Sequence, residues 1–336
     1  MPLVLLLAGC IHEYPTLTPD GEDGVDPTLV EVTANVTLDL NFVPLDIDVW
    51  NPRGSRSGTS PEAAPEGYRR RFIIEAWREG KPEARQVTVV DDAASGDNGL
   101  TIPLRIKLHA VEYTLVVWTD YVAEDTDTDL YYDSADLQYI ACTTPYTGST
   151  PYRDCLYGTA SLDLRQYRDS WNVKVPVKVE MVRPLAKYEI IATDVRDFLR
   201  KMKKQRAADE EFTITFSYGF YFPTVFNALS GKPVDSWTGV RFTTPLIIPE
   251  GVTDEYCIGS DFVFVNGAES FVKLTMEIHD SHGELVSRTS GLEVPYRRGH
   301  LTTMRARFLT NEMQGGVEID PDYDGDIDID LDEWMN

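Results

Sequence analysis

The feature that most constrains the fold is a run of strict alternation beginning at Leu29. Val30, Val32, Ala34, Val36, Leu38 and Leu40 are apolar, the residues between them are polar, and the run predicts a strand over 29–42. Successive side chains of a strand point to opposite faces, so such a run buries one face and leaves the other wet. The same texture returns at 171–182, where Val173, Val175, Val177, Val179 and Met181 share a face. Residues 72–77, 100–108 and 113–118 read as further strands, separated by turn-rich stretches such as 93–99. Many short strands without intervening helices argue for antiparallel sandwiches rather than βα units. The predicted class is all-β.

The second half repeats that character without an internal sequence repeat. Arg183-Pro184 marks a boundary, followed by a strand at 185–192. Thr193 or Asp194 then caps the clearest helix, 195–206, with Phe198, Leu199 and Met202 on one face. Strands resume at 212–218, 261–265, 271–278, 284–288 and 301–309, with Asn266-Gly267 and His282-Gly283 as hairpin turns.

Cys10 constrains location in the same way. The first ten residues are a short apolar run ending in Leu-Ala-Gly-Cys. Small residues before a cysteine are the pattern of a bacterial lipobox, after which the thiol takes a diacylglycerol. A spanning helix needs about 20 apolar residues, so this run is too short to cross a bilayer. Residues 11–26 then hold Pro15, Pro19, Gly21 and Gly24, five carboxylates and no Lys or Arg. Such a stretch buries too little apolar surface to offset its ordering entropy. The expected organisation is a signal peptide at 1–9, an acidic tether at 10–28, one sandwich at 29–183 and a second at 184–336. The mature chain is expected to hang on a membrane by its lipid.

Net charge is −24, of which the tether carries −5 and residues 312–336 carry −10, leaving −9 for residues 29–311. A polyanion of this kind repels nucleic acid and anionic headgroups, so neither is an expected partner. Three cysteines follow Cys10. Cys142 and Cys155 bracket a turn-rich stretch and either close a small disulfide loop or remain two buried thiols; Cys257 reads as an unpaired core residue.

Catalytic signatures do not emerge. His12, His109, His279, His282 and His300 form no His-Glu-x-x-His pair, and the chain has no Gly-x-Ser-x-Gly elbow or phosphate-binding glycine loop. The expectation is a protein that is not an enzyme and needs no cofactor. One constellation is sharper. Asp320, Asp322, Asp324, Asp326 and Asp328, with Gly325 among them, match the first nine positions of an EF-hand-like calcium loop. Position twelve is Leu331, where a bidentate Glu belongs. A final strand with Ile327, Ile329 and Leu331 inward explains the spacing without a metal, and is the reading adopted.

The residues after the lipobox, Ile-His-Glu-Tyr-Pro, resemble those of Bacteroidales fimbrial anchor and minor-subunit lipoproteins of the FimA/FimB-like type V pilus superfamily. So do Arg183-Pro184-Leu185-Ala186-Lys187-Tyr188-Glu189, the segment 261–267 and Gly315-Gly316-Val317-Glu318-Ile319. The resemblance implies two tandem transthyretin-like sandwiches, attachment to the outer membrane through an acylated Cys10, and a role in pilus assembly or adhesion at the cell surface or the base of a pilus. It also implies strand exchange with other pilin subunits, which suits β-augmentation. No catalytic residues come with it.

Two readings result. The favoured one is a pilus anchor or accessory subunit; the other is a surface glycan-binding lipoprotein using Tyr131, Tyr132, Tyr139, Tyr146, Tyr152 and Tyr157. Host or bacterial surface glycans or proteins are the partners it would meet. In the pilins the chain resembles, a protease cuts after the first strand, and Arg53 or Arg56 would be the place for such a cut here. An uncut hairpin loop is the alternative, and the favoured one.

Overall fold

In the computed structural model the described residues are 29–38, 43–44, 67–90, 100–123, 128–168, 170, 173–205, 211–252, 254–267, 269–310 and 329–330. The chain begins with β1 (Leu29–Leu38), β2 (Val43–Pro44), β3 (Tyr68–Arg78), β4 (Lys81–Val90) and β5 (Leu100–His109). It continues through β6 (Glu112–Ala123), β7 (Tyr132–Asp133), β8 (Ile140–Cys142), β9 (Leu156–Asp163) and β10 (Lys174–Glu180). The second half holds β11 (Leu185–Ala192), α1 (Val195–Gln205), β12 (Phe212–Gly219), β13 (Tyr221–Asn227) and β14 (Lys232–Thr238). Then come β15 (Arg241–Pro245), β16 (Tyr256–Phe264), β17 (Glu269–Asp280), β18 (Leu285–Arg297), β19 (His300–Ala306) and β20 (Ile329–Asp330). The protein is all-β, with one α-helix among the described residues.

The first sandwich packs the sheet β10-β1-β5 against the sheet β4-β3-β6-β9. Its core takes Val30, Val32, Ala34, Val36 and Leu38 from β1, and meets them with Phe72, Ile74, Leu115 and Val117 across the gap. The alternation seen in the sequence is therefore a real one-sided burial, and β1 alternates half-buried and buried along its whole length. Strands β3 and β6 differ. Both are buried on nearly every residue because a second core lies behind them, which is why they read as continuous apolar runs rather than as alternation.

The second sandwich packs β16-β11-β19-β2, with β20 also on β19, against β15-β12-β17-β18. Phe198 and Met202 of α1 close that core. The Asp194 carboxylate accepts from the backbone N–H groups of Leu309 and Thr310, tying the helix start to the segment after β19. The two halves share a connection rule. Each opens with a strand (β1, β11) that runs parallel to the last long strand of its own half (β10, β19) and antiparallel to another (β5, β16). The sheets are thus mixed rather than purely antiparallel.

The line at residues 183–184 separates the two main cores but not every sheet. The short strands β7 and β8 lie before it and pair through β8 with β13, giving the sheet β14-β13-β8-β7. A third core backs this sheet, joining Ile73, Trp77, Val116 and Trp118 to Phe226, Phe262 and Phe264.

Of the two expected hairpins, His282-Gly283 does join paired strands, β17 and β18. Gly283 has φ 79°, and the Asp280 carboxylate accepts from the N–H groups of His282 and Glu284. Asn266-Gly267 does not. It carries the chain from β16 in one sheet to β17 in the facing one, so it is a crossing between layers.

Candidate functional site

Two features of the fold bear on function: the seat of the first strand, and the polar junction that locks the halves together. The seat follows from alternation. β1 is paired with β10 over residues 31–37 on one side and with β5 over residues 29–38 on the other, and its five inward side chains are at most 1 % exposed. Its outer neighbours in the sheet carry Pro176 and Pro103, which lack an N–H and blunt the sheet's free edges. The centre of this sheet is therefore the one strand that follows the predicted tether.

The junction is built around Asp261 of β16, which is fully buried. Its carboxylate accepts from the Tyr146 hydroxyl at 2.7 Å and the Tyr218 hydroxyl at 2.6 Å, while Tyr188 and Tyr218 share a hydroxyl contact at 2.6 Å. Arg153 approaches from the other half. It ends a 3₁₀ turn, Pro151–Arg153, that Thr150 caps by accepting from the Tyr152 N–H. Its Nε lies 3.7 Å from Asp261, and its guanidinium sits 4.0 Å from the centre of the Tyr146 ring. It also donates to the Thr147 carbonyl and to the Cys142 Sγ. Burial outweighs the nearby Arg153 charge and pushes the Asp261 carboxyl above its ordinary range.

Three further ion pairs lie elsewhere in the fold, two of them buried. Arg71 grips Asp120 with two hydrogen bonds of 2.9 and 2.7 Å, and the Trp118 indole donates to the same carboxylate. Arg183 grips Asp154 with two of 2.8 Å, pinning the start of the second half. Glu75 accepts from the Trp77 indole and pairs with Arg85, whose guanidinium reaches the carbonyls of Ser134 and Ala135. Buried charges are stable only when paired and hydrogen-bonded, and these are. The arrangement orients and locks.

Cys142 and Cys155 are both buried in the third core, and both are free thiols rather than a disulfide. Burial pushes both thiols up, and Cys142 is held as an acceptor by Arg153. Cys257, expected in a core, is instead an exposed position on β16. Cys10, Arg53 and Arg56 lie outside the described residues. So do Asp320, Asp322, Asp324, Asp326 and Asp328; immediately after them, Ile329–Asp330 pairs with β19 as a strand. Among the described residues no group of three or more His, Cys, Asp or Glu is placed to hold a metal, and no helix is long and apolar enough to cross a membrane.

The loop tyrosines offered for sugar stacking are mostly packing. Tyr132 is buried and donates to the Arg153 carbonyl, Tyr146 belongs to the Asp261 cluster, Tyr152 stacks on Tyr68 at 4.0 Å, and Tyr157 meets Phe226 at 4.9 Å. Tyr139 is half exposed but donates to Asp235. The sequence hid the junction because its partners are far apart, Tyr146 and Asp261 by 115 positions. No local pattern marks them.

The profile of a family of unknown function, DUF6562, matches residues 27–333. The chain belongs to that family. No curated protein matches it. Among solved structures it is similar to the fimbrial anchor protein Mfa2 from Porphyromonas gingivalis, with TM-score 0.37, 11% identity, and 78% of this chain and 82% of that one covered. It is similar to a candidate cell adhesion protein from Bacteroides uniformis, with TM-score 0.42, 13% identity, and coverage of 82% and 93%. A candidate cell adhesion protein from Bacteroides ovatus gives TM-score 0.41, 15% identity, and coverage of 84% and 92%.

Proposed function

We propose that this DUF6562 member is a non-catalytic, lipid-anchored protein of the cell surface that serves as an anchor or accessory subunit of a type V pilus. The observation that carries the reading is the seat of β1. The lipobox cysteine is joined by a short acidic segment to a strand that is paired on both sides and buries every second side chain in the core. A pull on the lipid would load that strand along its axis, in shear, where all its ladder bonds share the force. An anchor needs that arrangement. The polar junction supports the same reading, since it joins the second sandwich to the first through buried, hydrogen-bonded groups. The resemblance at 183–189 and 261–267 supplies the pilus, and strand exchange with a neighbouring subunit supplies the mode of assembly.

The test is replacement of the acylated residue. Cys10→Ala should abolish metabolic labelling with palmitate and release the chain from the membrane fraction. A Cys10→Ala chain that stays in the membrane fraction would remove the anchor from the proposal.

A further inference from the structure

Two consecutive aromatic residues at the crossing between β12 and β13 stand almost fully in water. Phe220 is 72 % exposed and Tyr221 76 % exposed. Phe220 also has φ 63°, a left-handed conformation that a bulky side chain rarely adopts. The residues on either side explain how it is held there. Tyr218 and Phe222 turn inward and stack at 4.0 Å, and Tyr218 is fixed in turn by its hydrogen bond to Asp261. The chain is clamped below the surface, and the two outer rings are forced out. Strain of this kind persists only where the surroundings over-determine it, and it concentrates at ligand clamps.

The Phe220 ring adjoins the outer face of the sheet β15-β12-β17-β18, while Tyr221 opens β13 in the neighbouring sheet. Gly219 lies opposite Lys273, whose ammonium is 5.8 Å from the centre of the Phe220 ring. Phe271, 53 % exposed, lies two residues from Lys273 on the same face of β17. Beyond this aromatic end the face is lined with hydroxyls. Thr215 lies opposite Thr243, with their hydroxyls 2.9 Å apart, and Ser217 lies between Arg241 and Thr275. The charges along β17 are neutralised within the face, Lys273 by Glu293 at 2.7 Å and Glu277 by Arg288 at 3.4 Å.

We propose that this face binds a glycan chain of neutral sugars. Phe220, Tyr221 and Phe271 would stack on the apolar faces of the pyranose rings, with the Ser and Thr hydroxyls and Arg241 hydrogen-bonding the sugar hydroxyls. The chemistry favours a sugar over a protein. A stable protein interface needs a continuous desolvated apolar centre within about 1,000 Å² or more, whereas here the rings give way at once to hydroxyls; Leu285 and Ile247, the exposed aliphatics nearest this sheet, belong to its opposite end. Lys273 and Glu277 are paired within the face, which leaves Arg241 as a donor to sugar hydroxyls, and the chain's net charge of −24 repels an acidic ligand. The inference is independent of the anchor reading and differs from the loop tyrosines in both residues and place.

Native gels cast with galactomannan, mannan, amylopectin or laminarin, and with polygalacturonate for comparison, test it on the whole purified chain. At least one neutral polysaccharide should retard the protein. The pair Phe220→Gly with Tyr221→Ala should weaken that binding roughly tenfold or more, as truncation of hot-spot aromatics does. Tyr139→Ala, an exposed tyrosine elsewhere, should leave it unchanged. Phe220→Gly alone should raise the unfolding midpoint, because glycine adopts positive φ without strain, so a loss of binding would not reflect misfolding. Four outcomes would overturn the proposal: no retardation by any neutral polysaccharide, retardation by polygalacturonate alone, retardation unchanged in the double variant, or self-association lost in that variant while gel mobility is unaffected.

Discussion

Arg153 and Asp261, one from each half of the chain, lie 3.7 Å apart with almost no exposure to solvent. Neither is isolated. The arginine is sandwiched by Tyr146 and anchored to Thr147, and the aspartate accepts from two tyrosines and from the Phe262 N–H. The pair therefore adds a desolvated charge contact to the shared sheet and the third core that join the two halves.

Breaking that contact from one side should be costly. Arg153→Met leaves a buried carboxylate without its counter-charge, and removal of one partner from a buried pair costs about 3–5 kcal/mol. Urea unfolding of Arg153→Met should show a loss of that size. The direction with pH follows from Asp261. Burial, ahead of the Arg153 attraction, holds its carboxyl above the ordinary 3.8. A carboxyl raised on folding contributes stability that is fully present below its unfolded pKa and is lost as pH rises through the folded one. Without Arg153 the folded value climbs further, so the deficit of the variant should shrink on acidification from neutral toward 3.8. A deficit that does not change with pH would show that the pair is not the cause.

The thiols offer a second check. Cys142 and Cys155 are free and buried, and burial pushes both pKa values up, which lowers the thiolate fraction that reacts. In the native protein an alkylating reagent should reach Cys257 well before either of them, and both should react once the chain is unfolded. Intact mass under non-reducing conditions should show no loss of two hydrogens. A disulfide between Cys142 and Cys155 would contradict the arrangement in which Arg153 donates to Cys142.

Much of the fold was legible in the sequence, and the limits of that reading are physical. β1 and β10 appear as alternation because one face is turned to the core and the other is more exposed. β4 was invisible because it is exposed along most of its length and carries no apolar period. β8, β13 and β14 were missed for another reason: they are short or irregular, with register shifts near Pro223 and Val225, and β8 and β13 pair with each other across the two halves of the chain. The junction of Arg153, Tyr146 and Asp261 left no trace for the same cause. Parallel pairing of β1 with β10 was equally hidden, since alternation reports which face is buried but not which strand lies alongside.

The acidic C-terminal run gives a third prediction. The strand reading is supported by Ile329, which pairs with Met304 of β19 directly after the aspartate series. Thermal unfolding with excess EDTA and with millimolar calcium should therefore give the same midpoint. A midpoint that rises with calcium would mean that Asp320, Asp322, Asp324, Asp326 and Asp328 form a loop site after all.

The central claim is that the chain keeps its first strand on its lipid. Each buried Val or Leu of β1 is worth about 1.5–3 kcal/mol, and removal of the strand would open the first core between β10 and β5. Mapping the N-terminus of protein isolated from its own cells decides the matter. The account predicts a chain that begins at acylated Cys10 and retains residues 29–49. A native N-terminus at Gly54 or Ser57, left by cleavage after Arg53 or Arg56, would contradict it and make the protein a polymerising subunit instead of an anchor.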